Sequence, residues 1–247
     1  ARIRERQLRK QPGDPRIFEQ ALAAFDAGLG VAAKDAPVQE VVRGWIERAL
    51  VFASWKGREA EAGPAFQKAA AICRERGGAA EEQRVLGDLG TYASATRNVP
   101  LERWALERRI ELDPRAIAAW SRLIELSDDD AVLKRLLETL PDAPDAHVLY
   151  ANSIAKRGRG EEAITHLRDT AGRITDPVPL QHALASLLVE AKRIDEARAI
   201  EQKLIAEQPT RPETYDLTGV LAMHERRFAD AAAATRKLVE RQETTRA

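Results

Sequence analysis

Apolar residues recur at three- and four-residue spacings along nearly the whole chain, the signature of amphipathic helices that turn one stripe toward a core. Phe18, Leu22, Phe25 and Leu29 make one such stripe; Val41, Val42, Trp45, Ile46, Ala49 and Leu50 make another. The period-two alternation of half-buried strands is missing. Short breaks carry turn chemistry: PGDP at 12–15, Gly77-Gly78, NVP at 98–100, DP at 113–114, PDAPD at 141–145 and TDP at 175–177. Proline in such places suits the first turn of a helix or the residue just past its end. Helices of roughly 11–18 residues fit between the breaks, so about twelve or thirteen short antiparallel helices are expected.

Self-comparison gives the pattern a longer period. Blocks 144–177, 178–211 and 212–245 align without a gap at 34 residues. The eighth place of each is small (Ala151, Ala185, Gly219), and the twentieth is alanine (Ala163, Ala197, Ala231). Two antiparallel helices that cross at these places come close only if both carry Gly or Ala. A larger side chain there would cost about 1–3 kcal/mol. Around the crossing Tyr150, Ile154, Leu184, Leu188, Ile194, Leu204, Phe228 and Leu238 are the expected core fillers.

These blocks resemble tetratricopeptide repeats. That family has a bulky aromatic at place 4, small residues at 8 and 20, glycine at 15, an aromatic at 17 and proline at 32. The last block supplies Tyr215, Gly219, Phe228 and Ala231, the middle one Leu184, Ala185, Ala197 and Pro209, and the first Ala151, Gly158 and Ala163. His147 and Gln181 depart from the fourth place; Thr170, Leu204 and Leu238 depart at the twenty-seventh. Upstream, 83–116 fits with Leu86, Leu89, Gly90, Ala93 and Pro114. Block 117–143, with Trp120 and Leu133, is short and needs trimmed helices about the SDDD turn at 127–130. Block 42–82, with Trp45, Ala49 and Phe52, is long, and its second helix runs through AFQKAAAICRERGG. The resemblance implies an all-α fold, a right-handed α-α superhelix or solenoid, over 42–247, preceded by N-terminal helices or a cap at 1–41.

Charge and composition narrow the function. Lysine and arginine number 39, as do aspartate and glutamate, so nothing draws the chain to nucleic acid or an anionic membrane. A single cysteine, Cys73, excludes an internal disulfide and a Cys-based zinc site. No apolar run approaches the roughly 20 residues of a membrane span. The chain opens on alanine with no signal peptide, so an excised piece of a longer, soluble protein is expected, cytoplasmic or periplasmic. The excess of arginine over lysine suits a GC-rich bacterial genome.

Candidate chemistry is sparse. His147, His166, His182 and His224 fall at places 4, 23, 5 and 13 and are read as packing or surface residues that share no face. With no HExxH or two-His-carboxylate spacing, no metal is expected. Cys73 lies on an apolar face with Phe66, Ala69 and Ala70 and reads as a small hydrophobe. Glu161-Glu162 and Asp195-Glu196 open helices, where they complement the dipole. The basic stretch ARIRERQLRK at the start, five basic residues against one acidic, reads as a solvated helix. No catalytic or cofactor-binding residue is assigned, and no nucleic-acid partner is expected.

The resemblance further implies that places 2, 5, 9, 12 and 13 of each first helix line a concave groove. Arg84, Thr91, Ser121, Glu125, Asn152, Lys156, His182, Ser186, Glu190 and Asp216 are then the candidate partner-binding residues. Asn152 matches the family's carboxylate clamp, but Val148 stands where its lysine belongs, which argues against that mode. A non-enzymatic scaffold or adaptor holding a partner protein or peptide is the leading expectation. A regulatory or substrate-presenting domain of a longer enzyme or envelope export protein is the alternative.

Overall fold

In the computed structural model the described residues are 15–32, 36–76, 78–127 and 130–246. The basic opening stretch, Gly77 and Asp128-Asp129 of the SDDD turn lie outside them, as does the side chain of Leu29. Among the described residues there are thirteen α-helices, one 3-10 turn at Glu59–Glu61, and no strand. The helices are α1 Pro15–Ala32, α2 Val38–Ala53, α3 Ala62–Arg76, α4 Ala79–Ala95, α5 Val99–Leu112, α6 Ile117–Glu125 and α7 Ala131–Thr139. They continue with α8 Pro144–Lys156, α9 Gly160–Ala171, α10 Val178–Glu190, α11 Ile194–Glu207, α12 Pro212–His224 and α13 Phe228–Arg246.

The 34-residue phase is written into the helix ends. The first helices α8, α10 and α12 begin at 144, 178 and 212 and each run 13 residues; their partners begin at 160, 194 and 228. Each first helix has a proline in its opening turn, where the missing N–H is no loss. Each ends in the same cap. At place 15 the backbone is left-handed, in Gly158 (φ 83°), Lys192 (φ 61°) and Arg226 (φ 60°), and also in Arg97 (φ 56°) of block 83–116. The next N–H then reaches back to the place-11 carbonyl: Asn98 to Ala93, Arg159 to Ile154, Arg193 to Leu188 and Arg227 to Ala222, at 2.8–3.1 Å. This closure satisfies carbonyls that the helix end leaves without a partner. The glycine column of the resemblance is therefore glycine once and arginine or lysine three times, with the same geometry.

The chain divides into two compact units, one up to Leu126 and one from Ser127, with the seam inside the short block 117–143. In the first unit α1 sets Phe18, Ala21, Leu22 and Phe25 against Val51, Phe52 and Ala62, and Phe18 stacks on Trp55. Helices α2 to α5 enclose a second core around Val42, Phe66, Cys73, Leu86 and Leu89. Trp120 of α6 is fully buried, and its indole N–H donates to the Pro114 carbonyl at 2.9 Å. Both helices of the short block, α6 and α7, are trimmed to nine residues.

In the second unit α8 packs on α9, α10 on α11 and α12 on α13, while α10 lies across α8–α9 and α12 across α10–α11. Ala151, Ala185, Ala163 and Ala197 are fully buried, as close crossings require. The last hairpin differs. A Cβ added at Gly219 would meet Ala234 at 3.8 Å, an ordinary contact, so that crossing has room for a methyl. Phe228, expected in the core, is 61% exposed, and Leu238 is only half-buried. Both sit on a face that no further helix covers among the described residues.

Candidate functional site

The groove positions of the second unit lie on α8, α10 and α12. His182 and Asp216, both at place 5 of successive hairpins, meet at 2.7 Å from Nε2 to Oδ2. Ser186, one turn on, donates its hydroxyl to the His182 carbonyl at 3.0 Å. Asn152, Lys156 and Glu190 are exposed and carry no hydrogen bond or ion pair among the described residues. Of the candidates on these helices, His182 and Asp216 are brought together, and Lys156 and Glu190 leave a positive and a negative side chain open to solvent.

The first unit places its candidates differently. Arg84 is engaged locally, 2.5 Å from Glu81 and 3.6 Å from Asp88, and its hydrogen bond holds the Glu81 carboxyl below the usual range. Thr91 donates to the Gly87 carbonyl at 3.0 Å, Ser121 is half-buried, and Glu125 accepts from Arg122 at 3.0 Å. Around Thr91 an open recess of about 550 Å³ is lined by Gly87, Gly90, Ser94, Ala118 and Arg122. Its floor is Glu102, which stands at place 20 of its block where later blocks have alanine. Glu102 is 4% exposed and takes two bonds from Arg122, at 2.7 and 3.3 Å. A carboxylate this buried needs such a partner, because desolvation without one costs several kcal/mol. The recess is therefore polar, with Glu102 neutralised by Arg122 and with Arg109 as a second arginine on its wall.

Two histidines expected to lie apart are in contact. His147 Nδ1 and His166 Nε2 are 3.0 Å apart, and His147 Nε2 is 2.7 Å from the Pro141 carbonyl. A carbonyl only accepts, so Nε2 of His147 carries a proton. Burial, helped by the neighbouring His147 and Arg173, pushes His166 down to about 4. His166 is therefore neutral at physiological pH. Places 4 and 23 lie on the two facing helices of one hairpin, His166 at the middle of the second.

A further column went unread in the sequence. Arg159, Arg193 and Arg227 all stand at place 16, and each binds the acidic residue of place 19 (Glu162, Glu196, Asp230) at 2.6 Å. Arg193 also reaches Glu161 of the preceding hairpin at 3.0 Å, and Arg168 reaches Glu196 of the following one at 3.0 Å. The signal was R-x-x-[DE] in phase. The acidic residues at helix starts do face the dipole, but their partner is this arginine.

Cys73 is fully buried and its thiol is pushed up to about 11, chiefly by burial, so no thiolate forms near neutral pH. Among the described residues no group of three or more His, Cys, Asp or Glu is placed to hold a metal ion. Nor is any described helix long and apolar enough to cross a membrane.

No family model and no curated protein matches the sequence. Among solved structures, yeast Tom70 is similar at 16% identity and TM-score 0.49, over 97% of this chain and 54% of that one. The chain thus spans about half the length of that structure. A tetratricopeptide repeat protein from Parabacteroides merdae is similar at 14% identity and TM-score 0.49, over 97% and 93% of the two chains. A thermophilic TPR protein of Thermus thermophilus is similar at 19% identity and TM-score 0.38, over 78% and 99%. Likeness this distant carries no functional argument. The fold is an all-α array of TPR-like helical hairpins on the strength of its own 34-residue phase and its repeated caps.

Proposed function

We propose that the chain is a non-enzymatic scaffold that holds a segment of a partner protein along the first helices of its second unit. The observation that carries this reading is the His182–Asp216 contact. It sets the place-5 side chains of consecutive hairpins on one polar strip, with Ser186 beside it and Asn152, Lys156 and Glu190 open to solvent. A peptide laid across successive helices meets donors and acceptors at intervals of about 8–10 Å, the ordinary spacing of packed helices. Charges of both signs suit a peptide that itself mixes acidic and basic residues and disfavour a polyanion. The state of the reactive groups supports a role without catalysis: the thiol stays protonated, His166 is neutral, and the buried carboxylate Glu102 is held by arginine.

The test is charge reversal at Lys156→Glu together with Glu190→Lys, followed by quantitative capture of bound proteins and calorimetry with any partner so found. Affinity should fall at least tenfold while the far-UV spectrum is unchanged. If every affinity survives the double reversal, partners do not use this strip.

A further inference from the structure

Block 83–116 inverts the bulk that the later repeats place around their crossing. Its places 5 and 8 are Gly87 and Gly90, where the later blocks have Val148, His182 and Asp216 and then Ala151, Ala185 and Gly219. Places 20 and 27 carry charge instead, in Glu102 and Arg109, against alanine and then Thr170, Leu204 and Leu238. A Cβ added at Gly87 or Gly90 would have no heavy atom within 4 Å. Both glycines line the open recess of about 550 Å³ that α4, α5 and α6 enclose, a volume in the range of small-molecule sites.

The recess has one cationic group to spare. Arg122 gives Nε and Nη2 to Glu102 and Nη1 to Glu125, so the buried carboxylate and its arginine are spent on each other. Arg109 is held by its stem. The Gln83 side chain donates to its carbonyl at 3.2 Å and accepts from its Nε at 3.4 Å. That leaves Nη1 and Nη2 of Arg109 with no hydrogen-bond or ion-pair partner among the described residues. Ser94, on the same wall, likewise has an uncommitted hydroxyl, whereas Thr91 donates its own to the Gly87 carbonyl. A planar guanidinium fork fixed at its base and open at its tip matches the two oxygens of an oxyanion.

We infer that this recess binds a small anion through a carboxylate or phosphate group, with the Arg109 fork as the main donor and the Ser94 hydroxyl as a second. A cationic ligand fits worse, because the one carboxylate on the lining, Glu102, is already matched by Arg122. The site uses no residue of the strip on the second unit, so either can fail without the other.

The probes are inorganic phosphate and succinate, each titrated into the whole protein at low ionic strength and followed by amide chemical shifts. Saturable shifts at Gly87, Gly90 and Ser94 are expected with at least one of them, with a dissociation constant on the order of 1 mM. Saturation by phosphate alone assigns a phosphate group, and by succinate alone a carboxylate. Arg109→Gln should weaken binding at least fivefold. Gly87→Met should do the same without touching a charge, by filling the recess from a helix position that gains a better helix former. Arg115→Gln, an exposed arginine outside the recess, should change the affinity less than twofold. Absence of saturable shifts with both anions overturns the inference. So does binding that survives both Arg109→Gln and Gly87→Met at unchanged melting temperature. Equal weakening by Arg115→Gln would mean that anions gather by overall charge, which also overturns it.

Discussion

The repeated helix cap offers a measurement in which one backbone geometry is sampled with and without a Cβ. Lys192 occupies the left-handed region, where an L side chain costs about 1–2 kcal/mol. Glycine removes that cost but loses about 0.4–1 kcal/mol through its freer unfolded chain. The Lys192 side chain is exposed and makes no hydrogen bond or ion pair among the described residues, so truncation removes no contact. Lys192→Gly should therefore stabilise the second unit by about 0.5–1 kcal/mol, or roughly 2–4 °C in melting temperature for a unit of this size. Gly158→Ala runs the experiment in reverse. A Cβ there would have no heavy atom within 4 Å, so its cost is torsional alone and the loss should be of similar size. Lys192→Ala keeps the left-handed penalty without the charge and should be near neutral. Melts followed at 222 nm, with urea titrations at unchanged m-value, give the numbers. A fall in stability for Lys192→Gly, or no change for Gly158→Ala, would refute the account of the caps.

Other consequences are as direct. Ala197 is fully buried between α10 and α11, so Ala197→Leu should wedge the hairpin open and cost about 1–3 kcal/mol; an unchanged urea midpoint would mean that the crossing lies elsewhere. His166 is pushed from its ordinary 6.5 to about 4, so the unfolded chain binds more protons between those values. Stability from this site is complete above about pH 6.5 and is lost as pH falls toward 4. His166→Gln should flatten that part of the stability profile, and a variant with the wild-type slope would show that His166 does not titrate as described.

The array was legible because its physics is periodic. Alanine at places 8 and 20, proline in the opening turn and an apolar stripe of the right width each recur because every hairpin solves the same packing problem. Lys192 and Arg226 hid their role, since a left-handed residue that is not glycine leaves no compositional trace. The His147–His166 contact was hidden by comparing the histidines' places for a shared face rather than pairing them across the hairpin. Phe228 was misplaced for a different reason. The aromatic at place 17 comes from the resemblance, while this chain has Gly160 and Ile194 there in the earlier blocks, and burial at that place depends on a neighbour that the described residues do not supply. The groove residues were readable as positions, but what they bind depends on a second molecule.

The cross-hairpin contacts also make the order of the hairpins non-commutative. Suppose the middle hairpin, 178–211, were duplicated in place. The new junction would set His182 against its own copy instead of against Asp216. Arg198, which now pairs with Glu225 at place 14 of the next hairpin, would face a second Ala191. The Arg168–Glu196 bridge would have Gln202 in the arginine's column. Each seam would still bury its apolar places, yet none of these three polar matches would form. Identical scaffolding with unlike seams means that the units can be counted as repeats but not shuffled as modules. Growth of such an array by duplication therefore requires each new seam to acquire its own charges before it becomes as specific as the old one.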